Sequence, residues 1–472
     1  MSRRSRAACS SAAGLFALWL LLGALPCSGA DENVCAPLPP AQPASPSESF
    51  AGAGIVAGKH KLPRSSDSTG RIVELPGSGA EMGADDMEGE ALLILPKRAD
   101  GSIPMDFVLA EGASVASSAW SPVLCATLVR VVGPIGLSPA ELVPSVPKGA
   151  LVVPNHRYHA SAGPSRPALL APAQAVGPDP YLPLQYGLAL TGVLAGRPQF
   201  AGAGVRVALL DSAPDTTHRE LLRVRVLPLE DGPPSEPATH GTLLAGVIAA
   251  IENNAFGIAG IAPAAELLAI PVCAPVSDPL GEECRMFDVL RGIDRAWAES
   301  VRLVNLALVG PPDPVLERAM DRLRQLGILV VAAAGNEGTD HPRYPAGYSS
   351  VIGVGALDEH GRRWARSNYG ASVSLLAPGV EVLSTLPGDR FAFADGTSLA
   401  AAHVTGLLAV LLAASDQPEL VRRAMLDAAH RAALSAASRR GAAAAGAGQD
   451  AAVLPRLCDV LPALGQSCPA KP

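Results

Sequence analysis

A serine hydroxyl becomes a nucleophile when a general base takes its proton. Histidine does this near neutral pH if a carboxylate fixes its tautomer and stabilises the imidazolium. The 472-residue chain offers these groups in suitable settings. Asp211, in Asp211-Ser212-Ala213, stands where the apolar run Val205-Arg206-Val207-Ala208-Leu209-Leu210 stops. His240, in Thr239-His240-Gly241-Thr242, opens the apolar stretch Leu243-Leu244-Ala245-Gly246. Ser398, in Asp395-Gly396-Thr397-Ser398-Leu399-Ala400-Ala401, begins the most apolar helical stretch, among small residues that leave its hydroxyl open to a substrate carbonyl. Asn336 lies in Ala332-Ala333-Ala334-Gly335-Asn336-Glu337-Gly338, and from this turn its amide can donate to an oxyanion. Singly these are a strand-end acid, two helix-start residues and a turn residue; together, in the order Asp, His, Ser, they point to acyl transfer.

Such groups need rigid elements to hold them. Strands are expected at 205–210, 266–272, 303–308 and 328–333, alternating with helices at 242–250, 286–300 and 313–326. Apolar strands of four to eight residues alternating with helices indicate an α/β fold, a mostly parallel sheet covered by helices on both faces. In such sheets sites gather beyond the carboxyl ends of the strands, where Asp211 and Asn336 fall. Upstream, the runs 91–95, 127–132 and 151–153 read as strands, and Ser138-Pro139-Ala140-Glu141 opens like a helix. They form a small α+β module.

Composition narrows the classes. Hydrophobic residues make up 49% of the chain, enough for a sizeable core, and 37 basic residues against 44 acids, without a basic block, argue against nucleic acid. Arg3, Arg4 and Arg6 followed by an apolar run and Ser28-Gly29-Ala30 read as an export signal, which implies a secreted or periplasmic/cell-envelope protein free of the membrane once the signal is removed. Two of the 8 cysteines, Cys9 and Cys27, leave with that signal. The six that remain allow about 15 pairings, so order alone leaves the connectivity open. The spacing suggests Cys273 with Cys284 and Cys458 with Cys468, which leaves Cys35 and Cys125; reduced, buried cysteines are the other reading.

Over about Asp179 to Ala414 the chain resembles the subtilisin-like serine proteases, whose Asp, His, Ser chain order is a standard worked case. The resemblance is carried by Val207 to Ser212, Thr239 to Gly246, Asn254 to Pro263, Ala332 to Gly338, Ser367-Asn368-Tyr369-Gly370 and Gly396 to Gly406. It implies a serine endopeptidase acting on proteins or peptides through an acyl-enzyme: Ser398 is the nucleophile, His240 the base and Asp211 its orienting acid. Asn336 and the Ser398 N–H would donate to the oxyanion, and Ala307, Leu308, Val309, Ala333 and Gly335 would contact the substrate. No cofactor is required; the resemblance leaves room for a structural calcium, but no Asp-x-Asp-x-Asp-Gly run fixes ligands, no metal site is assigned, and Asp215, His218 and Glu220 read as solvated loop residues. His403 reads as a structural residue on the Ser398 helix.

The chain departs from the family pattern at Ala213, Leu243, Leu399, Ala402 and in Ala307-Leu308-Val309. Those swaps put the shape of the subsites in question and remove no catalytic group. The expected organisation is a signal peptide at 1–30, a disordered linker at 31–87 and a propeptide-like α+β module at 88–160 that would inhibit its own enzyme. A linker at 161–183, a catalytic domain at 184–432 and an Ala/Gly-rich tail with a Cys-containing end at 433–472 would follow. The competing reading is a catalytically silent member acting as a secreted binding or scaffold protein.

Overall fold

The computed structural model describes residues 85–98, 101–166, 169–170, 178–197, 199–276, 281–440 and 452–469. The expected signal peptide, Cys35, most of the first linker and the tail stretch 441–451 lie outside them.

The first described layer is an antiparallel sheet. Strand β1 (Asp86–Pro96) pairs on one side with β3 (Ala126–Val132), which carries the edge strand β2 (Ser114–Ser121), and on the other with β4 (Leu151–Ser161). Between β3 and β4, α1 (Pro139–Leu142) starts at Ser138, whose hydroxyl and the Glu141 carboxylate form a reciprocal capping box. Along β1 the alternation divides the side chains: Ala91, Leu93 and Leu95 make a small core with Leu142 of α1, whereas Leu92 and Ile94 enter a larger core with Phe287 and Leu290. The chain continues through β5 (Gly163–Pro164), β6 (Leu169–Leu170) and α2 (Tyr186–Thr191).

Then comes the alternating α/β pattern: β7 (Arg206–Asp211), β8 (Arg225–Val226), α3 (Thr239–Ala249), β9 (Glu266–Pro271), β10 (Cys273–Pro275), β11 (Gly281–Arg285), α4 (Met286–Ala298), β12 (Leu303–Leu306), α5 (Pro314–Gln325), β13 (Leu329–Ala333), β14 (Ile352–Leu357) and β15 (Leu375–Pro378). An antiparallel pair, β16 (Val382–Leu386) and β17 (Arg390–Asp395), precedes α6 (Thr397–Ala414); α7 (Pro418–Arg440), β18 (Ala452–Val453) and α8 (Leu457–Val460) follow.

The central sheet has eight strands in the order β18-β15-β14-β13-β12-β7-β9-β8, every pairing parallel. Its strands are apolar throughout because both faces are covered: Val207 and Leu209 of β7 pack toward α3 and α6, Ala208 and Leu210 toward α4 and α5. Helix α6 is long and apolar enough to cross a membrane, but 89% of it is buried inside the fold, which makes it the central core helix. Disulfides join Cys273 to Cys284 and Cys458 to Cys468, and Cys125 is also disulfide-bonded.

The segment from Cys273 to Arg285, between β9 and α4, contains the antiparallel pair β10 and β11. Strand β11 joins β4, so the first sheet runs in the order β10-β11-β4-β1-β3-β2.

Candidate active site

Parallel strands end together, and the candidate residues stand at those ends. Asp211 is the last residue of β7, buried, with the Ser212 N–H donating to its Oδ1 (2.9 Å). The same oxygen lies 2.7 Å from Nδ1 of His240, the second residue of α3. An ionised carboxylate only accepts, so Nδ1 carries the proton and Nε2 presents a lone pair. Nε2 is buried with no hydrogen-bond partner among the described residues. Burial alone would depress the His240 pKa; the charge and hydrogen bond of Asp211, aided by Glu282, override it and lift the value to about 8.

Ser398, second residue of α6, is buried, and its Oγ donates to the Ala307 carbonyl (3.3 Å) just past β12. Its neighbour Thr397 organises Asn336. The Thr397 N–H (3.0 Å) and Oγ (2.9 Å) both donate to Asn336 Oδ1, while Thr397 Oγ accepts from the Gly335 N–H (3.1 Å). A backbone N–H cannot accept, so the Asn336 amide is held in one orientation, with Nδ2 on the edge away from Thr397.

The model of the subtilase family matches residues 202–448, more than half of the chain. The chain belongs to the subtilase family. Subtilisin BL of Lederbergia lenta is 39% identical over 218 residues, 44% of this chain and 77% of that protein. M-protease of Shouchella clausii (strain KSM-K16) is 38% identical over 216 residues, covering 44% of this chain and 54% of its own length. Subtilisin E of Bacillus subtilis (strain 168) is 38% identical over 222 residues, 45% of this chain and 56% of its own length. This subtilase is a serine endopeptidase, with peptides or proteins as substrates.

In this subtilase the end of β4 lies between β11 and the chain that follows β12. On one side Arg157 to Ser161 pair with Arg285 to Gly281 of β11. On the other His159 and Val309 exchange two backbone hydrogen bonds, each 2.8 Å. Tyr158 is fully buried and donates to the Pro311 carbonyl (3.2 Å). A Cβ on Gly310 would fall 2.3 Å from the Tyr158 ring, so that glycine makes the room for it. Leu306 and Leu308 enter one core and Ala307 the other; Val309, though buried, belongs to neither cluster and stands on the side of Ala307. Of the remaining expected contact residues, Ala333 ends β13 and Gly335 precedes Asn336.

Three expectations need correction. Asp215, His218 and Glu220 are buried, not solvated. Asp215 accepts from Thr217 (Oγ 2.6 Å) and the Gly388 N–H (2.7 Å), Glu220 from the Ile258 N–H (2.8 Å) and Asn254 Nδ2 (3.0 Å), and His218 meets the Arg390 carbonyl (3.1 Å). These hydrogen bonds account for the burial of the three side chains.

Sequence reasoning also missed Glu282. This β11 residue is buried beside Asp211 and His240; Ser212 Oγ donates to its Oε1 (2.8 Å), and polar atoms of Asp211, His240 and Glu282 lie within 4.8 Å of one another. A period of two along Gly281 to Arg285 puts Glu282 on the same face as buried Cys284, and that was the signal available in the sequence.

Proposed function

We propose that this subtilase is a secreted serine endopeptidase made as a precursor, that Asp211, His240 and Ser398 form its triad, and that its first substrate is its own Ser161–Ala162 bond. The register of β4 carries this reading. His159 is bridged antiparallel to Val309, so two residues on and two residues back Ser161 falls opposite Ala307, whose carbonyl holds Ser398 Oγ. Past that point Gly163 and Pro164 pair with Asp395 and Ala394 of β17, so the chain runs directly in front of the start of α6.

In the reaction Ser398 Oγ attacks the Ser161 carbonyl carbon as its proton passes to His240 Nε2, and Asp211 stabilises the imidazolium. Asn336 Nδ2 and the Ser398 N–H donate to the oxyanion. Collapse breaks the C–N bond, His240 protonates the departing Ala162 amine, and water then hydrolyses the acyl-enzyme with His240 again as base. The released segment ending at Ser161 still pairs on both sides of the groove, which suits a module that inhibits its enzyme until it is removed. The reaction as written uses no organic cofactor, and no ligand set is assigned to a structural calcium. A silent scaffold role is disfavoured because the chain keeps Asp211, His240, Ser398 and Asn336, with Asp211 on His240 Nδ1 and Thr397 on Asn336 Oδ1.

Expression with the native signal in a host lacking extracellular proteases tests this. The wild type is expected in the medium with Ala162 as its first residue, reactive toward a fluorophosphonate, and Ser398→Ala at precursor length and unlabelled. Full processing of Ser398→Ala would remove self-cleavage, and an unlabelled wild type would remove the triad assignment.

A further inference from the structure

Glu282 takes no part in the bond-breaking steps above, and its burial beside Asp211 needs a reason, because two carboxylates in a dry site repel each other. Helix α3 supplies one. Its N-cap is Ala238, which has no side-chain acceptor for the exposed amides of the first turn. The acceptor comes from elsewhere: Ser212 Oγ accepts from the Gly241 N–H (3.1 Å) and donates onward to Glu282 Oε1 (2.8 Å). A negative group there also lies at the favourable end of the helix dipole.

We propose that Glu282 is a positioning residue for the catalytic base: it anchors the first turn of α3, and its charge joins that of Asp211 in stabilising the His240 imidazolium. The proposal rests on the triad reading. The titratable groups facing Glu282 are Asp211 at the end of β7 and His240 on α3. On its own strand Glu283 points to the other face and pairs with Arg157 of β4 (2.9 Å), and His159 of β4 lies opposite Glu283 in the register. Burial first and the Asp211 charge second raise Glu282 to about 7, against the opposing pull of His240 and Ser212.

The two titrations are therefore linked. As the pH falls, a proton on Glu282 makes a proton on His240 less favourable, which spreads the loss of free base over a wider range than one group gives. The test is the second-order rate of fluorophosphonate labelling of the processed enzyme as a function of pH, a rate that needs neutral His240. The wild-type acid limb is expected to be shallower than a one-proton curve between about pH 6 and 8. Glu282→Gln keeps an oxygen for Ser212 but loses the charge. Its limb is expected to return to one-proton steepness, with the midpoint lower by about one pH unit, the low end of what an opposite charge at this range produces.

Glu282→Ala separates anchoring from charge, since it leaves the Ser212 hydroxyl without its acceptor and is expected to lower Tm. A wild-type limb of one-proton steepness with the Glu282→Gln midpoint still lowered supports the charge role, with Glu282 ionised throughout. A Glu282→Gln midpoint unchanged beside a lowered Tm assigns Glu282 a structural role only and overturns the proposal. Absence of label in the wild type would instead overturn the triad reading on which the proposal depends.

Discussion

Asn336 is oriented by groups that have no choice of role. The Thr397 N–H can only donate, the Thr397 hydroxyl spends its proton on the same oxygen, and its lone pair takes the Gly335 N–H. An amide locked in this way pays no reorganisation when charge develops on a substrate oxygen, which is the condition for electrostatic stabilisation of a transition state. Asn336→Leu is therefore expected to cost about 3 kcal/mol in the transition state, a fall of ~10² to 10³ in kcat, while KM for a peptide amide stays near the wild-type value. Steady-state kinetics decide it, and a raised KM with unchanged kcat would remove the oxyanion role. The types of these residues were legible in the sequence because Gly335 and Gly338 bracket a turn and Gly396 precedes a helix. For Glu282 the alternation with Cys284 signalled burial and no more, since the acid gains its meaning from Ser212 and Ala238, which are distant in the chain.

At the scale of elements, β11 decides how the groove is walled. It offers one edge to β10 and the other to the strand lying in the groove, and the disulfide joins Cys273 to Cys284 where they stand directly opposite. A clasp across so short a pair restrains the strand on which β4 pairs, and in the chain-entropy account contributes about 2 to 3 kcal/mol to stability. With Cys273 and Cys284 both changed to Ser, KM for a peptide substrate is expected to rise about tenfold and kcat to change by less than about threefold. Peptide kinetics check this, and an intact mass with free thiols in the wild type would end the argument. The parallel strands could be read in advance because burial on both faces makes them continuous apolar runs, as in Leu329–Ala333. Strand β2, with the sequence SVASSAWS at a sheet edge, has too few apolar residues to announce itself, and of the short pair β10 and β11 the second is completed by pairing with distant β4.

For the whole molecule, the core helix that presents Ser398 also carries a buried imidazole. Nδ1 of His403 donates to the Leu399 carbonyl (2.9 Å), and a Cβ on Gly187 of α2 would fall 2.1 Å from its Nε2, so that glycine makes the room for the ring. Burial, only partly offset by that hydrogen bond, pushes its pKa down to about 4. The unfolded chain, with an ordinary histidine near 6.5, takes up a proton that the folded protein refuses between those values. Stability therefore falls as the pH drops from about 6.5 to 4, by about 3 kcal/mol from this group. Glu220, raised by burial to about 8, and Asp294, raised by burial to about 7, act in the opposite sense, because folding makes them bind protons more tightly. The raw pH dependence of Tm thus mixes the two, and the His403 contribution appears only as a difference. Chemical denaturation of Ser398→Ala, which avoids autolysis, and of the same protein with His403→Gln gives that difference at each pH. The double variant is expected to be less stable at pH 7.5 from lost packing, with the gap narrowing by about 3 kcal/mol on acidification to pH 4. A gap that stays constant across this range would mean that the folded protein accepts the proton, and that α6 does not hold His403 neutral.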